Sequence, residues 1–224
     1  MNLKVILVMI GVAAITATSF GQRFGGMMGG PGGGNPSMLL RRDDVKKDLA
    51  LTDDQKAKLQ EMQDGMRQKF MDAFQNAGED QEARQKAMAA IMKDVTDQVN
   101  KILTADQQKR LKEISVQLGG NAAVLQPDVQ KDLALTDEQK AKIKDLNDRQ
   151  QAANREIFQK VQSGDIQRED VGDLMQKNTK VLNEEIGKVL TQAQKDKLKD
   201  MGGKPFTATD QPRGFGGGGG GGGR

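Results

Sequence analysis

The chain has 224 residues and a formal charge of +3, from 34 Lys and Arg against 31 Asp and Glu. This near balance argues against a nucleic-acid-binding protein, because such domains concentrate Lys and Arg on one face. His, Cys, Trp and Tyr are absent, which excludes Ser-His and Cys-His nucleophiles and leaves no usual zinc ligand, so we expect neither an enzyme nor a cofactor or metal site.

The first 21 residues have the three parts of a secretory signal peptide. Lys4 supplies the positive charge, an apolar run follows over 5–15, and the small residues Ser19 and Gly21 suit cleavage before Gln22. We expect the mature protein to be periplasmic or secreted and not stably inserted in a membrane. The alternative, an uncleaved anchor, is disfavoured because the apolar run is shorter than the ~20 residues that a transmembrane helix needs.

Glycine-rich sequence flanks the central part of the chain. Residues 22–43 combine Gly with Met and Pro, and residues 202–224 end in an unbroken glycine run before the terminal Arg. Glycine gives up more conformational freedom on folding than any other residue. Both segments are therefore predicted to be disordered, and the second to act as a flexible tether.

Between these segments the chain repeats itself. The stretch DVKKDLALT at 44–52 returns as DVQKDLALT at 128–136. We therefore divide the central part into repeat one, residues 44–118, a linker at 119–127, and repeat two, residues 128–201. Within each repeat, apolar residues recur at steps of three and four and do not alternate with a period of two. This pattern predicts an all-α fold, with a short helix followed by three longer helices in each repeat.

Each repeat contains two copies of the pattern Leu-Thr-x-x-Gln, and each copy lies where a helix should begin. The Thr hydroxyl can accept a hydrogen bond from the third N–H of the helix, and the Gln side chain at that position can reach back to the Thr N–H, which forms a capping box. We expect the Thr and Gln residues to be helix caps, with each Leu packed against a neighbouring helix. The motif residues are Leu51, Thr52, Gln55, Leu103, Thr104, Gln107, Leu135, Thr136, Gln139, Leu190, Thr191 and Gln194.

With these motifs and this helix pattern, residues 44–201 resemble the Spy/CpxP-type LTxxQ family of periplasmic stress proteins, present as a tandem duplication. The resemblance implies an ATP-independent chaperone of the envelope stress response, which holds non-native proteins in a thin, curved cradle formed by an antiparallel dimer. Two family-like units on one chain then suggest a monomer acting as a pseudo-dimer, or a homodimer. Related members inhibit a membrane sensor kinase or bind zinc, and the zinc role is not carried over because this chain lacks His and Cys.

The two repeats differ in a respect that bears on binding. Repeat one carries Met and Phe, interspersed with Lys and Arg, where repeat two has mostly polar residues. Methionine adapts its shape and is frequent on surfaces that bind varied partners. The candidate client-binding residues are Met66, Phe70, Met71, Phe74, Met88 and Met92. The alternative interpretation is that these side chains fill a core.

Two other functions stay open at this point. One is a non-enzymatic regulator that docks on a membrane stress sensor through a defined surface. The other is a structural envelope protein in which the glycine tails anchor or space the folded part. Carboxylate pairs such as Asp53-Asp54 and Glu184-Glu185 lie on predicted polar faces or at caps, so we assign them solvated structural roles rather than acid–base catalysis.

Overall fold

The computed structural model describes residues 36–78 and 80–209. All regular structure in this part of the chain is helical, which confirms the predicted all-α class. The predicted signal peptide at 1–21, the start of the 22–43 segment and the terminal glycine run lie outside the described residues. No helix within the described ranges is long and apolar enough to cross a membrane.

The described residues form nine α-helices. They are α1 Pro36–Leu39, α2 Asp43–Asp48, α3 Asp53–Ala77, α4 Gln81–Ile102, α5 Ala105–Gly119, α6 Pro127–Asp132, α7 Asp137–Gln162, α8 Val171–Val189 and α9 Gln192–Met201. Two 3₁₀ turns, Gly120–Leu125 before α6 and Arg168–Asp170 before α8, complete the order. Helices α2 to α5 lie in repeat one and α6 to α9 in repeat two, so each half has a short helix followed by three longer ones.

Two hydrophobic clusters hold these helices together. The α3–α4 hairpin and the α7–α8 hairpin each bury one apolar stripe, as amphipathic helices do. The first cluster contains Leu39, Leu40, Val45, Leu49, Leu51, Leu59, Met62, Ile91, Val95, Val99, Leu103, Leu111 and Ile114. The second contains Val116, Ala122, Ala123, Val124, Val129, Leu133, Leu135, Ile143, Leu182, Ile186, Leu190 and Leu198. Because α5 contributes side chains to both clusters, it joins the two repeats.

The folded part of the chain extends beyond the predicted repeat boundaries. Part of the 22–43 segment, predicted to be disordered, is helical, and Leu39 and Leu40 are buried in the first cluster. At the aligned positions of the predicted linker, Ala123 and Val124 are fully buried in the second cluster. The sequence pattern does not predict this burial, because each apolar pair is too short to show helical periodicity and lies near glycines. Each pair nevertheless completes the core of its repeat.

The C-terminal boundary also differs from the prediction. Residues 202–209, assigned to the disordered tail 202–224, are described and lie against repeat one. Phe206 packs against the first hydrophobic cluster, and the Thr209 N–H donates to the Asp44 carboxylate at 2.9 Å. Phe206 is the only large apolar residue of 202–209, and one such residue gives no periodic signal, so the sequence pattern does not reveal this contact.

The short helices α2 and α6 end in the same backbone motif. Ala50 has a φ of 47°, its N–H donates to Lys47 O at 3.0 Å, and the Leu51 N–H donates to Lys46 O at 3.2 Å. This is a Schellman ending, in which a left-handed residue allows two terminal carbonyls to be satisfied. Ala134, with a φ of 49°, ends α6 in the same way. The repeated Leu-Ala-Leu-Thr therefore leads from the end of one helix directly into the cap of the next.

Replacing Ala50 or Ala134 by Gly should raise the free energy of unfolding by about 0.5–1 kcal/mol, because glycine adopts a positive φ without the steric cost that Cβ brings. Urea unfolding followed by circular dichroism measures the change. As a matched control, Ala57→Gly on the exposed side of α3 should lower stability by about 1 kcal/mol. A loss of stability in Ala50→Gly would contradict the left-handed conformation.

Charged side chains of α5 reach the short helix of each repeat. The buried Arg110 guanidinium donates to the Asp48 carboxylate on α2 at 2.6 and 3.1 Å. Lys112 donates to Asp132, the aligned residue on α6, at 2.8 Å. The hydrogen bond from Arg110 holds the pKa of Asp48 below its usual range, and the bond from Lys112 does the same to the pKa of Asp132. Helix α5 is thus fixed to both short helices by charge-assisted bonds.

The lowered pKa of Asp48 predicts a loss of stability in acid. Such a carboxyl stabilises the fold above its unfolded pKa of about 3.9, and this contribution disappears as the pH falls through the lower folded value. Asp48→Asn should therefore weaken the pH dependence of the unfolding free energy below about pH 4, measured by urea unfolding at a series of pH values. Asp132→Asn is the matched control: its carboxylate is 46% exposed against 23% for Asp48, so its effect should be smaller. If the unfolding free energy of Asp48→Asn depends on pH below about pH 4 as strongly as that of the unmodified chain, the lowered pKa of Asp48 is refuted.

Candidate functional site

All four Leu-Thr-x-x-Gln motifs have the same geometry. Each Thr is the N-cap of its helix and each Gln is the third helical residue, with both bonds of the capping box present. In the first copy the Gln55 N–H donates to Thr52 Oγ1 at 3.2 Å, and the Thr52 N–H donates to Gln55 Oε1 at 3.1 Å. The four motif leucines are at most 5% exposed and belong to the hydrophobic clusters.

The two motifs of repeat one contact each other through their glutamines. Gln55 Nε2 donates to Gln107 Oε1 at 2.7 Å, and Gln107 Nε2 donates to Gln55 Oε1 at 3.0 Å. Each amide also donates to a main-chain carbonyl, from Gln55 to Ile102 O at 2.8 Å and from Gln107 to Leu49 O at 3.2 Å. Since each amide oxygen also accepts the cap N–H, both glutamine side chains use all their donors in one network that joins the start of α3 to the start of α5.

Repeat two has the same glutamine pair. Gln139 Nε2 donates to Gln194 Oε1 at 2.8 Å, and Gln194 Nε2 donates back to Gln139 Oε1 at 3.0 Å. Gln139 also donates to Val189 O at 3.0 Å. The motifs therefore serve as paired caps whose polar atoms are used within the protein.

The sequence contained a signal for this pairing that capping alone does not explain. A capping box accepts Glu or Gln at the third helical position, yet all four copies have Gln. Only an amide can accept from the cap and donate to a second amide at the same time. Local sequence patterns do not predict the pairing, because the paired glutamines are 52 and 55 residues apart in the chain.

Gln55→Glu should separate the two roles of the motif glutamine. A carboxylate can still accept the Thr52 N–H but cannot donate to Gln107 or Ile102, so the unfolding free energy at neutral pH should fall by about 1–3 kcal/mol. Gln60→Glu on the exposed side of the same helix is the control and should change stability by less than about 0.5 kcal/mol. Equal stabilities of the two variants in urea unfolding would show that capping is the whole role of Gln55.

The six candidate client-binding residues do not form one exposed surface. Met88 is only 9% exposed and lies in the core, as the alternative interpretation expected. Met66 and Phe70 are half-buried against the first cluster, and Met92 is half-buried on α4. Met71 is 50% exposed on α3. The side chain of the sixth candidate, Phe74, lies outside what the structure describes.

An open groove of about 440 Å³ runs between α3 and α4. Its floor is apolar and comes from Met62 and Met66 of α3 and from Val95 and Ile102 of α4. A Cβ built on Gly65 meets no atom within 4 Å, so the groove is open to solvent there. Charged side chains form the rim: Lys58, Glu61, Lys69, Asp94 and Lys101. Of the five candidates whose side chains are described, only Met66 lines this groove.

The rim of the groove carries three lysines against two acids. Lys69 of α3 pairs with Asp94 of α4 across the groove, and this hydrogen bond lowers the pKa of Asp94. Lys58 pairs with Asp54 on its own helix at 2.7 Å. Among the described residues, no carboxylate lies within ion-pair distance of Lys101. The rim is thus weakly positive above an apolar floor.

The α7–α8 hairpin of repeat two has a polar residue, Gln150, at the position of Met66 in this floor, and two polar pairs join its helices. Gln150 donates to Thr179 Oγ1 at 3.4 Å, and Asn178 donates to Asn154 Oδ1 at 2.9 Å. Gln150 and Asn154 occupy the positions where repeat one has a candidate methionine and a candidate phenylalanine. Their hydrogen bonds join α7 to α8, so at these two positions repeat two has hydrogen-bonded side-chain pairs instead of apolar side chains.

No family model, curated protein or solved structure matches this chain. Within the described ranges, there is no group of three or more carboxylates placed to hold a metal ion. The functional proposal therefore rests on the motifs, the groove and the charges around it.

Proposed function

We propose that this protein is an exported, ATP-independent chaperone or stress-protective protein that binds non-native envelope proteins in the α3–α4 groove. The observation that carries the proposal is the open groove with an apolar floor and a weakly positive rim. Methionine side chains supply half of that floor and adapt to partners of different shape. A segment with apolar residues and nearby carboxylates fits this surface, and such segments are exposed when proteins unfold.

The ion pairs at the rim do not prevent binding of an acidic segment. The Lys58–Asp54 pair is more than half exposed on both sides, and the Lys69 side chain is 52% exposed. Exposed ion pairs contribute about 0–1 kcal/mol, so exchanging one for a client carboxylate costs little. Lys101 is exposed and has no such pair among the described residues. It can therefore bind a client carboxylate without giving up an ion pair.

The contrast between the hairpins supports assigning the groove to repeat one. Repeat two has the same capping boxes and the same glutamine pair, so the architecture does not require an apolar side chain at the position of Met66. Repeat one nevertheless has Met66 where repeat two has the hydrogen-bonded Gln150. We therefore attribute the methionine to binding rather than to the stability of the hairpin.

We further propose that the single chain is equivalent to the dimer of the family it resembles. Support comes from α5, which contributes Ile114 to the first cluster and Val116 to the second, and from the bonds that join Arg110 and Lys112 to the two short helices. A monomer then suffices, and the solution mass from light scattering should equal that of one chain. A stable dimer would contradict this equivalence.

Met66→Gln with Lys101→Gln should reduce the suppression of client aggregation several-fold. The experiment is light scattering from an unfolding client without nucleotide, at equal concentrations of client and protein. Gln is the residue that repeat two carries at the position of Met66, so the hairpin should stay folded. The matched control is Met38→Gln with Lys142→Gln, which makes the same two changes at exposed residues outside the groove. Equal protection by both double variants would overturn the groove as the binding site.

The same assay on the unmodified chain separates a chaperone from a regulator. A regulator that docks on a membrane stress sensor should bind one membrane partner saturably and give no general protection against aggregation. Absence of protection by the unmodified chain at equal concentrations would therefore favour the regulator.

A further inference from the structure

Residues 202–209, which we call the C-terminal strap, leave α9 of repeat two and contact repeat one. Gln117 of α5 binds the strap on both sides of Pro205: its Nε2 donates to Gly202 O and, at 2.7 Å, to Lys204 O. Its Oε1 accepts the Phe206 N–H at 2.8 Å. One side-chain amide thus binds three polar groups of the strap main chain, two carbonyl oxygens and one N–H.

Two further side chains of repeat one bind the strap, also through its main chain. The Arg110 guanidinium, which is fixed by Asp48, donates to Lys204 O at 2.8 Å. The Asp44 carboxylate accepts the Thr209 N–H at 2.9 Å. All the hydrogen bonds described between repeat one and the strap therefore go to peptide groups, and these are present in any sequence.

Only one side chain of the strap is held by the fold. Phe206 is half-buried and packs against the first hydrophobic cluster. Its neighbours Lys204, Pro205 and Thr207 are exposed. Proline favours an extended conformation in the residue before it and has no N–H to satisfy, which suits a segment bound along its main chain.

We propose that Asp44, Arg110 and Gln117, together with the apolar surface under Phe206, form a binding site for peptide segments that lack regular secondary structure and carry an aromatic anchor. The strap fills this site in cis, and a segment of the same chemistry competes for it in trans. The contacts read the direction and spacing of the main chain and one aromatic side chain. The polar part of the site is separate from the α3–α4 groove, since Asp44, Arg110 and Gln117 do not line that groove.

The tethered strap has a large advantage over a free peptide. A short flexible linker gives an effective concentration of roughly millimolar, so a peptide binds the unmodified chain only when it displaces the strap. Gly203 offers a way to remove this competition. It has a φ of +63°, and a Cβ there would lie 2.4 Å from the Glu113 carboxyl group. Gly203→Val therefore opposes docking of the strap and leaves the binding surface and Phe206 unchanged.

The test uses the full chain and a fluorescein-labelled peptide with the sequence of residues 203–209. In fluorescence anisotropy, Gly203→Val should bind the peptide about tenfold or more tightly than the unmodified chain, because the site is free in a larger fraction of molecules. Adding Gln117→Ala to Gly203→Val should abolish this gain, and so should replacing the phenylalanine of the peptide by alanine. Equal affinities of the unmodified chain and Gly203→Val would overturn the proposal, as would binding that does not depend on Gln117.

Hydrogen exchange on the unmodified chain gives a second test, which does not depend on the folding of any variant. Excess unlabelled peptide should speed exchange of the Phe206 and Thr209 amides, whose partners it takes over, and leave the Leu111 amide inside α5 unchanged. Exchange of the strap amides that does not respond to peptide would count against competition. Met66→Gln with Lys101→Gln should bind the peptide normally, so a failure of this site and a failure of the groove are distinguishable.

Discussion

The reciprocal amide pair between motif glutamines is the contact on which each repeat depends. It joins the first turn of α3 to the first turn of α5 in repeat one, and it places the end of α4 next to both through the Ile102 carbonyl. A capping box alone would only start a helix. The pair also fixes where two helices start relative to each other, and it thereby sets the base of the hairpin in which the groove lies.

Helix α5 carries this local order over to the other repeat. Its start is held by Gln107, its middle faces the first cluster through Ile114, and Val116 belongs to the second cluster. The same helix places Arg110 and Gln117 along one side, where the strap binds. A single fifteen-residue helix thus belongs to both cores and to the proposed peptide site. A change in its position would therefore alter the packing of both cores and the geometry of the peptide site.

The sequence predicts the local part of this structure and not the long-range part. Periodicity and capping chemistry act within a few residues, so the helices and the Thr caps such as Thr52 follow from the chain alone. The glutamine pairing, the burial of Leu39 and the docking of Phe206 depend on residues that are distant in sequence and leave no periodic trace. Met88 shows a further limit, since a wide apolar stripe does not reveal which of its members faces the core. Of the five candidate residues whose side chains are described, Met66 alone lines the groove.

The hydrogen bond from the Thr209 N–H to Asp44 places the end of the described chain next to α2. The chain leaves the described residues beside the first turn of α2, and it enters them through α1, immediately before the same turn. Both glycine-rich stretches of sequence therefore join the described residues at the same place, next to the first turn of α2. The 25 residues of α3 carry the Gly78 turn roughly 37 Å from the start of the helix, at ~1.5 Å per residue. Tethering through either stretch would leave the tip of that hairpin projecting away from the point of attachment.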